Sequence, residues 1–303
     1  MAYRLALVTA SATLVLILFG GLVTNTGAAL AVPDWPTTFG YNMFLYPWSQ
    51  MVGGVFYEHS HRLIGAAVGF LTLGLAAALW RAGGRLRWLG AAAVVAVLAQ
   101  GVLGGLRVIL VTDTLAIVHG ALAQAFFALL VGIAWLTSAG ARRSGPGVDP
   151  SLRAATVLAA LLVYLQIVFG ALVTHAGRLD LHLAGALAVY VVVPLVTARL
   201  GRSGDPVVGP VSRALLVLLV LQLLLGAGSF LARFSWLVLP GGQVVMVLLP
   251  VAHRVAGSLV LGAAVVLAAR VAARPGSLAR SGGAMPWVGS RVSPSGSARE
   301  ARG

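Results

Sequence analysis

The chain has 303 residues, of which 59% are hydrophobic and 9% charged, with a mean hydropathy of +0.97 and a formal net charge of +14. Soluble globular domains carry about 45–50% apolar and about 25% charged residues, so this chain cannot cover a water-facing surface, and a soluble enzyme is excluded. All 21 basic residues are Arg, and their placement reports orientation in a membrane rather than a nucleic-acid partner.

In chain order, eight apolar runs of bilayer-spanning length predict helices at 4–25, 56–79, 88–110, 116–139, 154–174, 181–200, 214–233 and 250–270. The chain reads as an all-α integral membrane protein. Sixteen Arg fall at the N-terminus, in the connections 81–87, 141–153 and 199–213, at the end of the last run (Arg270) and in the C-terminal tail; the other five (Arg62, Arg107, Arg178, Arg233, Arg254) lie at the opposite helix ends. By the positive-inside rule both termini are expected in the cytoplasm. On the outer side, 26–55 is long and rich in Pro, Trp and Tyr, suited to the membrane interface, and 234–249 forms a second, shorter loop. Residues 271–303 lack apolar periodicity and are expected to be a disordered cytoplasmic tail. Arg4, the first apolar run and Ala29-Leu30-Ala31 imitate a secretory signal. The run is longer than a signal core and its end recurs later, so the helix is expected to be retained.

That recurrence sets the domain organisation. Phe19–Gly27 (FGGLVTNTG) matches Phe169–Gly177 (FGALVTHAG) at six of nine positions, 150 residues apart. Four helices separate the copies, so both run through the membrane in the same sense. The prediction is two pseudo-symmetric four-helix bundles related as a parallel repeat, residues 1–140 and 141–270, followed by the tail 271–303.

The polar residues within the helices carry the chemistry. His61, His119, His182 and His253 stand near the outer ends of the four even-numbered helices, and His61-Arg-Leu-Ile-Gly65 parallels His253-Arg-Val-Ala-Gly257. Histidine inside a membrane is costly and tends to face a bundle interior or cavity. Single inter-helix hydrogen bonds are the alternative use, but four rings at one depth point to two bis-imidazole, heme-sized sites. There is no cysteine, which excludes thiolate zinc, iron–sulfur and covalently attached heme, and the scarcity of carboxylates disfavours zinc. Gln100-x-x-x-Gly104, Gln166-x-x-x-Gly170 and Gln222-x-x-x-Gly226 place Gln and Gly on one helical face, an arrangement that serves helix packing. Glu58 lies three residues before His61 and shares its face. It is either a proton-handling carboxylate beside a metal ligand or an interfacial partner of Arg62. Arg62 and Arg254 each follow a histidine and are candidates for propionate contact or for snorkelling to headgroups. His59 and His175 lie outside the repeated pattern and are expected at the interface.

Together, Gly20-Gly-Leu-Val-Thr-Asn-Thr-Gly27, Pro33-Asp-Trp-Pro36, Glu58-His-Ser-His-Arg62, the four histidines and the Gln-x-x-x-Gly helices resemble the heme A synthase family across residues 5–270. The resemblance implies oxidation of one ring methyl of heme O to a formyl group by successive oxygen-dependent hydroxylations. It further implies a resident heme B ligated by His182 and His253, substrate heme O held by His61 and His119, and Glu58 as the catalytic carboxylate. All four histidines would then be axial ligands of heme iron. Molecular oxygen, an unidentified electron donor and membrane lipids are the implied partners, with heme O synthase or a terminal oxidase as candidates and no nucleic acid. Many bacterial relatives carry a Cys pair in the first outer loop, where this chain has Val32 and Thr38, so a loop disulfide is impossible here. The connection 175–180 is much shorter than its counterpart 26–55, which suggests an open substrate half and a closed cofactor half. A diheme b-type electron carrier, a heme-binding oxidase assembly factor and a repeat-built transporter remain as alternatives. The Arg-only, Ala/Gly/Val-rich composition and the lack of a visible transit peptide favour a bacterial plasma membrane.

Overall fold

A computed structural model describes residues 1–143, 148–237 and 239–273. Most of the expected tail, 274–303, lies outside the described residues. Among the described residues there are eight long α-helices: α1 (Ala2–Asn25), α2 (Gly53–Ala82), α3 (Gly84–Leu110), α4 (Asp113–Thr137), α5 (Pro150–Ala176), α6 (Leu179–Leu200), α7 (Val208–Phe234) and α8 (Gly242–Ala272). Each is long and apolar enough to cross a membrane. Helices close all their backbone hydrogen bonds internally, which is what hydrocarbon demands. Some hydroxyls inside the spans are satisfied in the same way: Thr13 donates to the Thr9 carbonyl at 2.8 Å and Thr72 to the Val68 carbonyl at 2.7 Å.

The helices run beyond their sequence-based limits, most of all α8. It starts at Gly242 rather than 250 and carries Pro250 inside it, so much of the expected outer loop 234–249 is its first two turns. A proline removes one N–H and bends a helix, but neighbouring helices can hold such a break in a membrane.

Packing follows connectivity. Helices α1 to α4 form a ring of neighbours, α5 to α8 a second, and α8 lies at the junction against α1, α4, α5 and α7. The buried apolar side chains fall into two clusters, one built from Ala6, Val68, Leu75, Leu130 and their neighbours, the other from Val163, Val193, Leu215, Val260 and theirs. The α6–α7 seam is the slackest, bridged where the Tyr190 hydroxyl donates to the Leu219 carbonyl at 2.7 Å. Between the rings, Tyr164 on α5 donates to the Ala121 carbonyl on α4 at 3.1 Å, and His175 stands 3.3 Å from Asp113.

At the end of the molecule bearing the 140–149 connection, Arg270 of α8 meets Asp205 in a buried ion pair at 2.7 Å, with side chains 1% and 4% exposed. Arg270 also donates to the Arg143 carbonyl at 2.8 Å, so one guanidinium joins α8 to the connections on either side of it. Burial alone would raise the Asp205 carboxyl; the bonds from Arg270 and from the Val208 and Val207 N–H groups outweigh it and hold it below its ordinary value.

At the opposite end, residues 26–52 fold into an ordered cap with Val32 and Thr38 fully buried. Asp34 organises its turn: its carboxylate accepts from the Phe39 N–H at 2.8 Å, the Gly40 N–H at 2.9 Å and the Thr37 hydroxyl. Partial burial would raise this carboxyl, and those donors together lower it from 3.8 to about 2.

Two outcomes follow. Replacing Asp205 with Ala strands a buried guanidinium and is expected to cost about 3–5 kcal/mol, read as a fall in detergent-phase thermal midpoint; adding Arg270→Met should restore much of it. The Asp34 contacts contribute fully above the ordinary carboxyl value and are lost as pH falls through about 2. At neutral pH, Asp34→Asn should therefore open the cap by roughly 1 kcal/mol, about fivefold in limited proteolysis within 26–52; an unchanged cleavage rate would show that the turn does not depend on the charge.

Candidate functional site

The four histidines share one local design. Each ring stands against a glycine on the helix preceding its own. A β-carbon on Gly20 would lie 3.2 Å from His61 Cε1; the corresponding distances are 3.3 Å for Gly104 and His119, 3.4 Å for Gly170 and His182, and 2.9 Å for Gly226 and His253. A methyl at Gly226 would force the ring to move and one at Gly20 or Gly104 would press on it, whereas at Gly170 it would come into ordinary contact. The glycines of the Gln-x-x-x-Gly pattern therefore make room for imidazoles, which is a more specific use than the helix packing expected of them.

The glutamines hold the ring-bearing backbone one turn away. Gln100 Nε2 donates to the His119 carbonyl at 3.2 Å and Gln166 Nε2 to the His182 carbonyl at 2.9 Å. At His253 the ring Nδ1 lies 3.2 Å from the Gln222 carbonyl, so that nitrogen carries the proton and Nε2 keeps its lone pair. Gln222 Nε2 approaches that lone pair at 3.3 Å. In α1 the position corresponding to these glutamines is Leu16.

These positions also concentrate unmet hydrogen-bonding capacity. Among the described residues, seven buried side-chain N or O atoms lack a partner, and five of them are His61 Nδ1, His119 Nδ1, Gln100 Oε1, Gln166 Oε1 and Gln222 Oε1. Buried polar atoms are normally paired, so the clustering marks places built for something further. The His182 and His253 rings are 6.1 Å apart between centroids at 74°. Two imidazoles sharing one metal through bonds of about 2 Å would have centroids roughly 6 Å apart, so this pair fits a bis-histidine metal. Among the described residues no three His, Asp or Glu side chains come together, so a tetrahedral zinc centre has no ligand set here.

Glu58 and Arg62 are buried beneath the 26–52 cap. Their ion pair is 2.8 Å long, with side chains 7% and 10% exposed. The other Glu58 oxygen accepts from the Val32 N–H at 3.1 Å. Arg62 donates to the Val32 carbonyl at 2.8 Å, the Asp34 carbonyl at 2.7 Å and the Thr37 carbonyl at 2.9 Å. Its guanidinium is thus spent on the cap, whereas the Arg254 guanidinium makes no hydrogen bond or ion pair with a described residue. The i,i+4 pairing weighed for Glu58 and Arg62 forms, but in the interior and not at the interface. His59, expected at the interface, is buried at 1% exposure, with Nδ1 3.1 Å from the Thr38 hydroxyl and its ring 5.1 Å from Tyr46.

The long loop, taken from its length as the mark of an open half, packs down on α2 and α3. Trp35 reaches Gly105 of α3, a contact with no local signal in the sequence beyond the doubled glycine 104–105.

Residues 45–178 match the family model COX15-CtaA, cytochrome oxidase assembly protein, a stretch that takes in Glu58, His61, Arg62 and His119 and stops short of His182 and His253. Over 182 residues the chain is 30% identical to a protein of Shouchella clausii (strain KSM-K16) named Heme A synthase. That alignment covers 57% of this chain and 59% of the relative, so the chain spans less than two thirds of the relative's length. On these two matches the chain is similar to the heme A synthase family over part of its length.

Proposed function

We propose that this protein is a heme A synthase of the bacterial plasma membrane. It would oxidise a ring methyl of heme O to a formyl group by successive oxygen-dependent hydroxylations, with both termini cytoplasmic and the 26–52 cap on the opposite side. Residues 1–140 take the substrate heme O through His61 and His119; residues 141–270 take a resident heme B through His182 and His253. The observation that carries this reading is the fourfold seating of an imidazole against a glycine, with one pair of rings already at metal-sharing distance. Heme B, when bound, supplies one-electron chemistry fed by an external donor.

The chain's own residues do the rest. His61 and His119 orient the substrate at the capped end of the first ring of helices. Glu58, one turn from His61 on α2, holds a carboxylate between a guanidinium and an amide N–H, where it can accept or return a proton during methyl oxidation. The cap excludes bulk water from that end. Arg254, beside His253 and without a partner among the described residues, is placed to take a propionate. Arg62 contributes by holding the cap. Heme O synthase and a terminal oxidase are the proposed neighbours for delivery of substrate and receipt of product.

The deciding experiment is extraction of the non-covalent hemes from purified protein, identified by chromatography and mass. Heme B accompanied by heme O, a hydroxylated intermediate or heme A is expected. Heme B alone at two per chain would replace this reading with an electron carrier, and no heme in a folded protein from heme-sufficient cells would overturn it. Glu58→Gln keeps the acceptor for Val32 while removing the charge, so it should retain both hemes yet lower heme O conversion by about 100-fold or more. Turnover at the wild-type rate would leave Glu58 as a cap fastening only.

A further inference from the structure

The cap is fixed to two helices at once. On α2, Arg62 binds the carbonyls of Val32, Asp34 and Thr37, His59 meets Thr38, and a β-carbon on Gly54 would lie 3.0 Å from Ala31 Cβ. On α3 the fastening is the Trp35 indole. A β-carbon on Gly105 would fall 2.3 Å from Trp35 Cδ2, 2.4 Å from Cε2 and 2.6 Å from Cε3. No side chain fits there, so the indole lies against bare backbone.

The neighbouring Gly104 is the seat of His119. The corresponding residues after the other two Gln-x-x-x-Gly segments are Ala171 and Ala227, which have no tryptophan to accommodate. The connection between α5 and α6, Gly177 and Arg178, is too short to bring one. The second glycine and the tryptophan thus belong together and serve one ring of helices only. Asp34 and Arg62 set the backbone on both sides of the indole, which lands one residue from Gly104, the seat of His119.

We propose that Trp35 is a positioning residue for the planar macrocycle at His61 and His119: it closes the capped end of that site and governs how long the substrate tetrapyrrole is retained. The inference rests on the heme O site proposed above. An aromatic ring presents a large, rigid face to a flat conjugated partner, and a cap held by three hydrogen bonds from one guanidinium keeps that face in place.

The test uses the full-length purified chain loaded with heme O and heme B, and follows transfer of each heme to excess apomyoglobin. Trp35→Ala should speed release of heme O about tenfold, as for loss of one aromatic contact, with release of heme B unchanged. Gly105→Ala leaves the indole in the chain but pushes it off α3, and should have the same effect; Trp35→Phe should restore most of the retention. Unchanged heme O release in both Ala variants would overturn the proposal, and so would equal acceleration of both hemes, which marks general loosening. His61→Ala separates the two levels of argument. If that variant retains heme O like the parent chain, the site itself is misplaced and the role of Trp35 falls with it; if it loses heme O while the Trp35 and Gly105 variants do not, only the role of Trp35 falls.

Discussion

A five-membered ring can stand between two membrane-spanning helices only where the facing helix gives up its side chain. Hydrocarbon offers helices little hydrophobic reason to associate, and small residues usually mark where backbones approach. Here Gly20, Gly104, Gly170 and Gly226 leave room for a histidine instead. The glycines lie on odd-numbered helices and the rings on the even-numbered helices that follow, so each site element is a hairpin of consecutive helices. Connectivity alone then brings the parts together, and the α4, α5 and α8 contacts have only to bring the hairpins side by side.

On this common unit the two rings of helices diverge. In the second, Gln166 and Gln222 hold both histidines, and the rings already face each other at 6.1 Å. In the first, Leu16 stands where a glutamine would be, and both His61 and His119 keep an unpaired Nδ1. Glu58, Arg62 and the cap are added at this ring. Both pairs of histidines are thus seated by their own helices, and the cap is an addition to the ring of helices that bears His61 and His119.

Much of this was legible in the sequence. Hydropathy marks eight spans because a bilayer fixes their length, and the histidines stand out because a titratable ring inside hydrocarbon calls for a reason. The Glu58–Arg62 pair follows from helical spacing. The start of α8 was not legible: Pro250 and the glycines before it read as a boundary in a single chain, yet packing carries the helix through. The burial of His59 and the seating of Trp35 on Gly105 were equally hidden, since both depend on where a loop of 27 residues between α1 and α2 comes to rest. No periodicity encodes that. The Arg270–Asp205 pair joins residues 65 apart, and neither has a local motif.

The cap of this protein is closed by a guanidinium and contains no cysteine. A loop tied by a disulfide changes state with the thiol–disulfide poise of its compartment. This one has no thiol to pair, so its closure is indifferent to the enzymes that make and reshuffle disulfides. It rests instead on the Arg62 bonds to the Val32, Asp34 and Thr37 carbonyls and on the Asp34 carboxylate, which its donors hold down at about 2. The site beneath it is therefore covered as soon as the chain has folded, without waiting for an oxidative maturation step.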